Sequence, residues 1–232
     1  MAQKRLRAFT APKHPSTPNE DRWAANSSLE AIAVSDGASV SFDPAPWADM
    51  LAAGFVADET IDGHWLSQLV DRYAASYDRD AMDWMQQGAF DRGSFASLLG
   101  VRWSSGASRV EVVCIGDTLL ALLDGTDVRI TAPYTDPAEF NARPRLLATQ
   151  SGENEDLIQE GALALTTYDL ADFDNPVLAL MTDALGHWLL TFPERAPELL
   201  AIEHQDTFEN FVEQERSASH MRRDDTTLVI LD

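Results

Sequence analysis

The stretch that decides the fold is Leu29-Glu30-Ala31-Ile32-Ala33-Val34-Ser35-Asp36-Gly37-Ala38-Ser39, a short apolar run that ends in Asp-Gly. An apolar run of this length, bounded by turn residues, predicts a buried strand over Leu29 to Val34. Glycine lets the chain turn sharply as it leaves the sheet, because it has no side chain to restrict its backbone angles. Asp36 therefore stands at the end of a rigid element, where its carboxylate and the neighbouring backbone carbonyl suit a hard divalent cation.

The composition limits the partners that the chain can have. It has 232 residues, 45% of them apolar, which is enough for one large domain or two small ones with a substantial core. Acidic residues outnumber basic ones by 38 to 17, and a net charge of -21 opposes binding to nucleic acid or to an anionic membrane. No apolar run approaches the roughly 18 residues of a membrane span, so we expect a cytoplasmic protein. Cys114 lies in an apolar run, which predicts a buried, inert thiol.

Helical patterns follow the first strand. Apolar residues recur at helical spacing from Trp47 to about Asp78, and Asp62-Gly63 divides them into two predicted helices. A third, shorter helix is predicted over about residues 79–87, with its Met and Trp side chains in the core. Four apolar runs between Phe95 and Thr131, separated by Ser-Gly, Gly-Asp and Asp-Gly, predict an antiparallel meander.

The second half of the chain begins with an irregular segment. Residues 132–161 are rich in Pro, Asn, Asp and Glu, which predicts a long loop with a short helix near Asp156 to Gln159. The strands and helices predicted after it cover Ala162–Thr167, Val177–Met181, a helix from Asp183, a helix over Asp206–Glu215, and Thr227–Leu231. No linker interrupts the pattern, so we expect one α+β domain over residues 1–232, with residues 1–18 as an extended N-terminal approach.

Five acidic residues share one setting, because each stands at the edge of an apolar strand. They are Glu20, Asp36, Asp117, Asp183 and Asp224. Carboxylates that converge at one edge of a sheet would form an oxygen-rich pocket for magnesium or manganese, whereas zinc prefers His and Cys. The alternative is that these acids form a solvated surface and bind no metal.

The order and local sequence of these sites resemble those of the metal-dependent PPM (PP2C-like) serine/threonine phosphatases. The matching segments are Asn19-Glu20-Asp21, Ser35-Asp36-Gly37, Ile115-Gly116-Asp117, Met181-Thr182-Asp183-Ala184-Leu185 and Arg223-Asp224-Asp225-Thr226-Thr227-Leu228-Val229-Ile230. Together they extend over nearly the whole chain. The resemblance implies a four-layer α-β-β-α sandwich, in which two mainly antiparallel sheets are flanked by helix pairs.

The resemblance also implies a set of metal ligands. Asp36 would bridge two Mn²⁺ or Mg²⁺ ions, and the Gly37 carbonyl would bind one of them. The carboxylates implied to complete the coordination, directly or through water, are Glu20, Asp183 and Asp224. Asp117 is implied to bind a third, weaker ion or to support the other ligands. The supporting residues are implied to be Asp21 and Asp225.

The chain also departs from the family pattern. Many members carry an arginine four residues before the first glutamate to hold the substrate phosphate, and here that position is Ser16. The candidates to replace this phosphate-binding residue are Lys13, His14 and Arg22. The loop after Asp36-Gly37 lacks the usual glycines, and Ala184 replaces the glycine of the fourth motif. His187, in the helix that follows, is the candidate proton donor to the leaving alkoxide.

Two functions from different classes fit these observations. The resemblance predicts that a water activated by two metal ions hydrolyses phosphoserine or phosphothreonine on a protein, without a protein nucleophile. The missing arginine and the altered loops leave an alternative, a catalytically weak or inactive phosphatase-like module that binds metal and a phosphoprotein or partner. By analogy with compact bacterial members, we expect a monomer that opposes a cognate Ser/Thr kinase.

Overall fold

The structure of the protein is a computed structural model that describes residues 5–103 and 108–232. The strands in these residues are β1 (Leu6–Ala11), β2 (Arg22–Ala25), β3 (Ala31–Ser35), β4 (Phe95–Ala96), β5 (Leu98–Arg102), β6 (Arg109–Ile115), β7 (Leu119–Asp124), β8 (Asp127–Ala132), β9 (Leu147–Ala148), β10 (Thr166–Asp169), β11 (Pro176–Met181) and β12 (Thr226–Leu231). The α-helices are α1 (Pro44–Ala57), α2 (Gly63–Ala75), α3 (Trp84–Arg92), α4 (Glu155–Gln159), α5 (Asp183–Thr191), α6 (Ala196–Leu200) and α7 (Gln205–Ser217).

Ten of these strands form two five-stranded sheets. The first sheet has the order β1-β12-β11-β7-β8, and the second has the order β10-β6-β5-β3-β2. Every pairing in them is antiparallel. The remaining strands, β4 and β9, pair with each other. None of the helices in residues 5–103 and 108–232 is both long enough and apolar enough to cross a membrane.

Apolar residues of the described chain pack in three layers. One layer lies between the two sheets, and the other two cover the outer face of each sheet. Helices α5, α6 and α7 pack on the first sheet, and α1 and α2 pack on the second. This arrangement confirms the predicted four-layer α+β sandwich of antiparallel sheets and flanking helices.

Strand β3 lies where two of these layers meet, and all five of its residues are buried. Successive side chains of a strand point to opposite faces of the sheet. Ala31 and Ala33 belong to the layer shared with α1 and α2, whereas Ile32 and Val34 belong to the layer between the sheets. The predicted buried strand is confirmed, with its start shifted from Leu29 to Ala31.

Helix α1 is held close to the second sheet by two residues of β5. A Cβ atom added to Gly100 would lie 2.3 Å from the ring of Phe55, so a glycine is needed for the helix to approach. Arg102 stacks on the same ring, 4.4 Å from its centroid, and donates a hydrogen bond to the Phe55 carbonyl at 2.6 Å. It also donates to the carbonyls of Asp58 and Glu59. The last carbonyls of a helix have no partner within it, so Arg102 caps this end of α1.

The N-terminal prediction was incomplete, because residues 6–11 of the expected extended approach form β1 at the edge of the first sheet. Residues 1–4 of that segment lie outside the described residues. The strand carries Arg7 at one of its buried positions, where its guanidinium donates to the carbonyls of Leu200 and Ile202 and pairs with Asp232. A charged residue at an inward position interrupts the apolar alternation that marks a strand, so the pattern was missed.

The predicted meander was wrong in its connectivity. Strands β5 and β6 pair in the second sheet, while β7 and β8 pair in the first, so the chain crosses between the sheets at Gly116-Asp117. The Ser-Gly turn expected between β5 and β6 lies outside the described residues. Apolar runs and turns predict strands, but they do not tell which of two buried sheets a strand joins. Strand β10 also begins at Thr166, later than the predicted Ala162.

The third helix was also predicted incorrectly. A short 3-10 turn occupies Arg79–Ala81, and α3 begins only at Trp84, after a capping box made by Asp83 and Gln86. Trp84 and Met85 are 80% and 65% exposed, so they do not form the core stripe that was expected. Helix α3 contains no buried residue.

Candidate metal centre

The pairing of β2 with β3 brings the first two acidic motifs together. Arg22 of β2 pairs with Ser35 of β3 in an antiparallel register. The residues just before β2 therefore lie beside the residue just after β3, because the two strands run in opposite directions. As a result, Glu20 and Asp21 lie near Asp36.

The first sheet brings three further acidic residues to one end. Met181, the last residue of β11, pairs with Leu119 of β7 and with Leu228 of β12. The end of β11 therefore lies between the starts of β7 and β12. The acidic residues next to these strand ends are Asp117, Asp183 and Asp224.

The turn at Asp36-Gly37 is fixed by the segment around β4. Gly37 and Ala96 form an isolated antiparallel bridge, and Ser97 donates from its backbone N–H to the Asp36 carbonyl at 2.9 Å. The Ser97 hydroxyl accepts a hydrogen bond from the Asp36 N–H, also at 2.9 Å. The bridge is made by the neighbours of Gly37, so it does not use the Gly37 carbonyl. A Cβ atom at Gly37 would lie 2.9 Å from the Cβ of Pro44, so this turn requires glycine.

The acidic residues influence one another electrostatically. Burial raises the pKa of Asp36 well above its usual range, and repulsion from Asp21, Asp183, Asp117 and Asp224 raises it further. Burial also raises the pKa of Asp183 to about 7, with Asp117 and Asp224 contributing. Asp21 is 5% exposed, and burial raises its pKa to about 8. Removal from water and mutual repulsion therefore both disfavour the charged forms of these carboxylates, and the charge of Arg222 offsets part of the shift of Asp183.

The chemistry of these residues fits a hard divalent cation. The donors are carboxylate and backbone oxygens, the ligands that magnesium and manganese prefer. The Oδ1 atom of Asp21 is buried and has no hydrogen-bond partner among the described residues. As they stand, no three His, Cys, Asp or Glu side chains within residues 5–103 and 108–232 are arranged to hold one metal ion. Mutual repulsion of carboxylates opposes their convergence, and a bound cation would offset it.

One cation of the chain itself lies among these acids. The Lys13 ammonium donates to Glu20 Oε2 at 2.9 Å, and the Ser39 hydroxyl donates to the same oxygen. Asp225 accepts hydrogen bonds from the backbone N–H groups of Lys13, at 2.6 Å, and of Glu20, at 2.7 Å. Burial opposes the charge on Lys13, but the bond to Glu20 and the nearby acids raise its pKa overall. Lys13 therefore brings a stable positive charge to the candidate site.

The other two candidates for phosphate binding are differently situated. His14 is exposed, and its backbone carbonyl accepts hydrogen bonds from Thr17. Arg22 donates to the backbone carbonyls of Asn19 and Asp21, at 2.8 and 2.7 Å. The Arg22 guanidinium thus stabilises the segment that carries Glu20, and these contacts give it a structural role.

Two titratable side chains near the acids are kept neutral. Burial and the charge of Arg222 lower the pKa of His187, whose ring centroid lies 6.0 Å from that of Phe140. The lowered pKa disfavours the protonated form that a proton donor needs, and the role of His187 as donor stays a prediction. Cys114 is half-buried, where a buried thiol was predicted, and desolvation raises the pKa of its thiol to about 12, which disfavours the reactive thiolate.

Several residues in contact with the predicted set were missed. The Thr182 hydroxyl donates to Asp21 Oδ2 at 3.0 Å and accepts from the Thr227 backbone N–H at 2.9 Å. Ser39 and Ser97 contact Glu20 and Asp36, as described above. Thr182 lies inside the fourth motif, which was a usable signal. The two serines carry no sequence signal, because they meet the acids only through the fold.

Comparisons with known proteins bear on the fold. No protein-family model matches the chain, and no curated protein matches its sequence. Its structure is similar to that of the catalytic domain of the serine/threonine protein phosphatase PstP in complex with two manganese ions. The two share 16% sequence identity with a TM-score of 0.64, and the match covers 99% of this chain and 97% of that chain. Serine/threonine phosphatase Stp1 from Staphylococcus aureus matches at 14% identity and a TM-score of 0.64, covering 99% and 95%. The serine/threonine phosphatase PstP/Ppp from Mycobacterium tuberculosis matches at 18% identity and a TM-score of 0.62, covering 99% and 98%.

These similarities extend over nearly the whole chain. They confirm the predicted resemblance to PP2C-type phosphatases at the level of the fold. One fold can carry many activities, so the activity of a protein depends on the residues of its site.

Proposed function

We propose that the protein is a metal-dependent phosphatase that removes phosphate from serine or threonine residues of proteins. The observation that carries the proposal is the position of acidic residues from five segments of the chain, which the strand pairings place at neighbouring strand ends. Burial raises the pKa of Asp36, and carboxylates from the four other segments raise it further. Such a concentration of uncompensated negative charge is typical of functional sites and suits bound cations.

Two Mn²⁺ or Mg²⁺ ions would be held by Asp36 and the Gly37 carbonyl, together with Glu20, Asp183 and Asp224. Asp117 would hold a third, weaker ion or support the other ligands. When bound, such ions supply a nucleophile from water and offset negative charge on the phosphate oxygens. The fold of the manganese-bound PstP domain supports this expectation, although that domain shares only 16% of its sequence with the chain.

The chain's own residues would hold and orient the reacting groups. Ser97 keeps Asp36 at the end of β3 through two hydrogen bonds. Asp225 holds Lys13 and Glu20 side by side through their backbone N–H groups. We assign phosphate binding to Lys13, because an ammonium is a compact point charge that binds phosphate oxygens in many proteins. Lys13, whose ammonium donates to Glu20, would hold a phosphate oxygen of the substrate beside that carboxylate.

The test is an assay of a small aryl phosphate and of a phosphopeptide, with and without manganese. We expect metal-dependent release of phosphate, and we expect Asp36→Asn to reduce the rate more than about tenfold, because even residues that only support metal ligands contribute about 10- to 100-fold. Asp172→Asn, an exposed aspartate outside the site, is the matched control and should leave the rate unchanged. Turnover that needs no metal, or that survives in Asp36→Asn, would contradict the proposal.

A second candidate function follows from the same residues. The acids are not arranged to coordinate a metal in the described chain, and Lys13 already pairs with Glu20. These two observations favour little or no hydrolysis, and the alternative is then a phosphatase-like module that recognises a phosphoprotein or partner and binds metal only when the acids rearrange around it. Calorimetric titration with manganese separates the two functions. Binding of manganese without release of phosphate from either substrate would support the binding module.

A further inference from the structure

A cavity of about 580 Å³ opens beside the Asp36-Gly37 turn. One wall is the connection from Gly37 to α1, where Ala38 and Phe42 line the cavity. Ala38 donates from its backbone N–H to the Phe95 carbonyl at 2.8 Å, so this wall is attached to the strand segment that also fixes Asp36. The cavity therefore adjoins the connection that begins immediately after the Asp36-Gly37 turn.

The opposite wall leads to a second acidic motif. The segment 143–146 lines the large cavity, and three of its residues, Arg143, Pro144 and Arg145, also line a smaller one that includes Gly116. Gly116 immediately precedes Asp117. The segment 143–146 thus shares one cavity with the connection after Asp36-Gly37 and another with Gly116, and the Leu146 side chain lies 3.0 Å from a Cβ atom built on Gly116.

The charged side chains that line the cavity are Arg92, Arg143, Arg145, Glu153 and Asp156. Arginines are in the majority here, whereas acids outnumber bases by 38 to 17 in the whole chain. Arg145 pairs with Glu160. Within residues 5–103 and 108–232, Arg92 and Arg143 make no ion pair, and both are exposed. These two guanidinium groups are available to a ligand.

Exposed apolar side chains lie beside these arginines. Val40 is fully exposed, on the same connection as Ala38 and Phe42. Met85 of α3 is 65% exposed and lies four residues before Ala89 and seven before Arg92, both of which line the cavity. Residues at these spacings share one face of a helix. Contiguous exposed apolar surface marks binding sites, and Val40 continues the apolar lining that Ala38 and Phe42 give the cavity.

We propose that this cavity binds the part of a phosphoprotein that flanks the phosphorylated residue, and that it selects flanking segments with carboxylate and apolar side chains. Arg92 and Arg143 would bind the carboxylates through paired hydrogen bonds, the geometry in which guanidinium groups recognise carboxylates. Val40 and Met85 would contact the apolar side chains. The identity of the ligand as a phosphoprotein depends on the proposed function, but the preference for acidic segments does not.

The net charge of -21 disfavours an acidic ligand, but salt weakens this long-range repulsion at physiological ionic strength. Charges farther apart than about 8 Å are largely screened there, so the groups that line the cavity decide which segment binds. Glu153 and Asp156 are part of that lining, and they limit how many carboxylates it accepts.

The experiment compares three fluorescein-labelled phosphoserine peptides of equal length by fluorescence anisotropy. All three carry leucines, and the other flanking residues are Asp and Glu, Asn and Gln, or Lys and Arg. Binding is measured in EDTA, which prevents metal-dependent turnover. We expect the acidic peptide to bind at least about tenfold more tightly than the neutral one. Equal affinity for the three peptides, or a preference for the basic one, would overturn the proposal.

Substitutions test which residues cause the preference for the acidic peptide. We expect Arg92→Gln combined with Arg143→Gln to remove the preference for the acidic peptide. Arg72→Gln, an exposed arginine of α2, is the matched control and should retain it. Thermal unfolding verifies that each variant folds, and Val40→Asp gives a second test, because a new carboxylate at the rim should weaken the acidic peptide selectively. A double arginine variant that folds and keeps the full preference would also overturn the proposal.

A separate measurement distinguishes this inference from the proposed function. The wild-type protein is assayed on an aryl phosphate with manganese. Hydrolysis of the aryl phosphate without any preference among the peptides would overturn the inference alone. A clear preference without any hydrolysis would overturn the proposed function and support the inference.

Discussion

Lys13 and Glu20 form an ion pair at the candidate metal centre, with 2.9 Å between Nζ and Oε2. Both residues are tied to Asp225, which accepts a hydrogen bond from the backbone N–H of each. Asp225, which is 3% exposed, therefore holds together the two ends of the loop from Lys13 to Glu20. This arrangement holds a positive charge beside a predicted metal ligand. We therefore expect it to affect the binding of both cations and phosphate at this site.

Replacing Lys13 should weaken phosphate binding if the protein is the phosphatase that we propose. Lys13→Met keeps an unbranched side chain and removes the charge, so we expect the inhibition constant of inorganic phosphate to rise about tenfold, as for the loss of one charge-assisted hydrogen bond. The measurement is inhibition of aryl phosphate hydrolysis. Lys13→Arg should retain most of the affinity. His14→Ala is the control, and an unchanged constant in Lys13→Met would contradict the assignment.

Divalent cations should stabilise the folded protein. A ligand that binds only the folded state at 100 times its dissociation constant adds about 2.7 kcal/mol to the free energy of unfolding. We expect manganese to raise the melting temperature of the wild-type protein, and EDTA to reverse the effect. The shift should be lost in Asp36→Asn and kept in Asp172→Asn. An equal shift in all three proteins would indicate that manganese binds elsewhere.

Glu215 should make stability depend on acid pH. Hydrogen bonds from Arg195 first, and then from Trp188 and His220, lower the pKa of Glu215 from 4.5 to about 2. Because the pKa is lower in the folded state, the stabilisation is complete above about pH 5 and is lost as the pH falls toward 2. It amounts to about 3 kcal/mol, the free-energy equivalent of that pKa difference. Urea unfolding of Glu215→Gln at pH 7 and pH 3 should show a smaller acid dependence than the wild type.

Glu198 provides the matched control for this prediction. It pairs with the same guanidinium, that of Arg195, but its side chain is 48% exposed. Surface ion pairs contribute about 1 kcal/mol or less, so Glu198→Gln should change the acid dependence little. Equal effects of the Glu198 and Glu215 substitutions would contradict the assignment of the acid dependence to Glu215.

Gly100→Ala should destabilise the protein strongly. The new methyl group would lie 2.3 Å from the Phe55 ring, which is fully buried against the second sheet. We expect a loss of about 3 kcal/mol in the free energy of unfolding, the upper range for overpacking a core. Phe55→Leu in the same chain should recover part of that loss. Gly152→Ala, where nothing lies within 4 Å of the new atom, should be close to neutral in the same urea titration.

Most elements could be predicted from local patterns because their physical causes are local. The side chain of Asp62 accepts a hydrogen bond from Trp65 N–H at the start of α2, so the predicted division between the first two helices is found there. The failures have local causes as well. A buried Arg7 interrupts the pattern of β1, and the exposed Trp84 and Met85 imitate the apolar stripe of a core helix.

The sequence by itself determined that acidic residues follow or precede apolar strands in a particular order, and hence that a PP2C-like sandwich was to be expected. Strand periodicity and turn residues are short-range properties, so they can be recognised without coordinates. Only the tertiary structure decided that Lys13 faces Glu20 and that Arg22 bonds to neighbouring backbone carbonyls. It also placed Arg92 and Arg143, which form no ion pair within the described residues, at one cavity. These contacts join residues that are far apart in the chain or depend on side-chain direction. Sheet pairing sets the distances between them, and no local pattern encodes those distances.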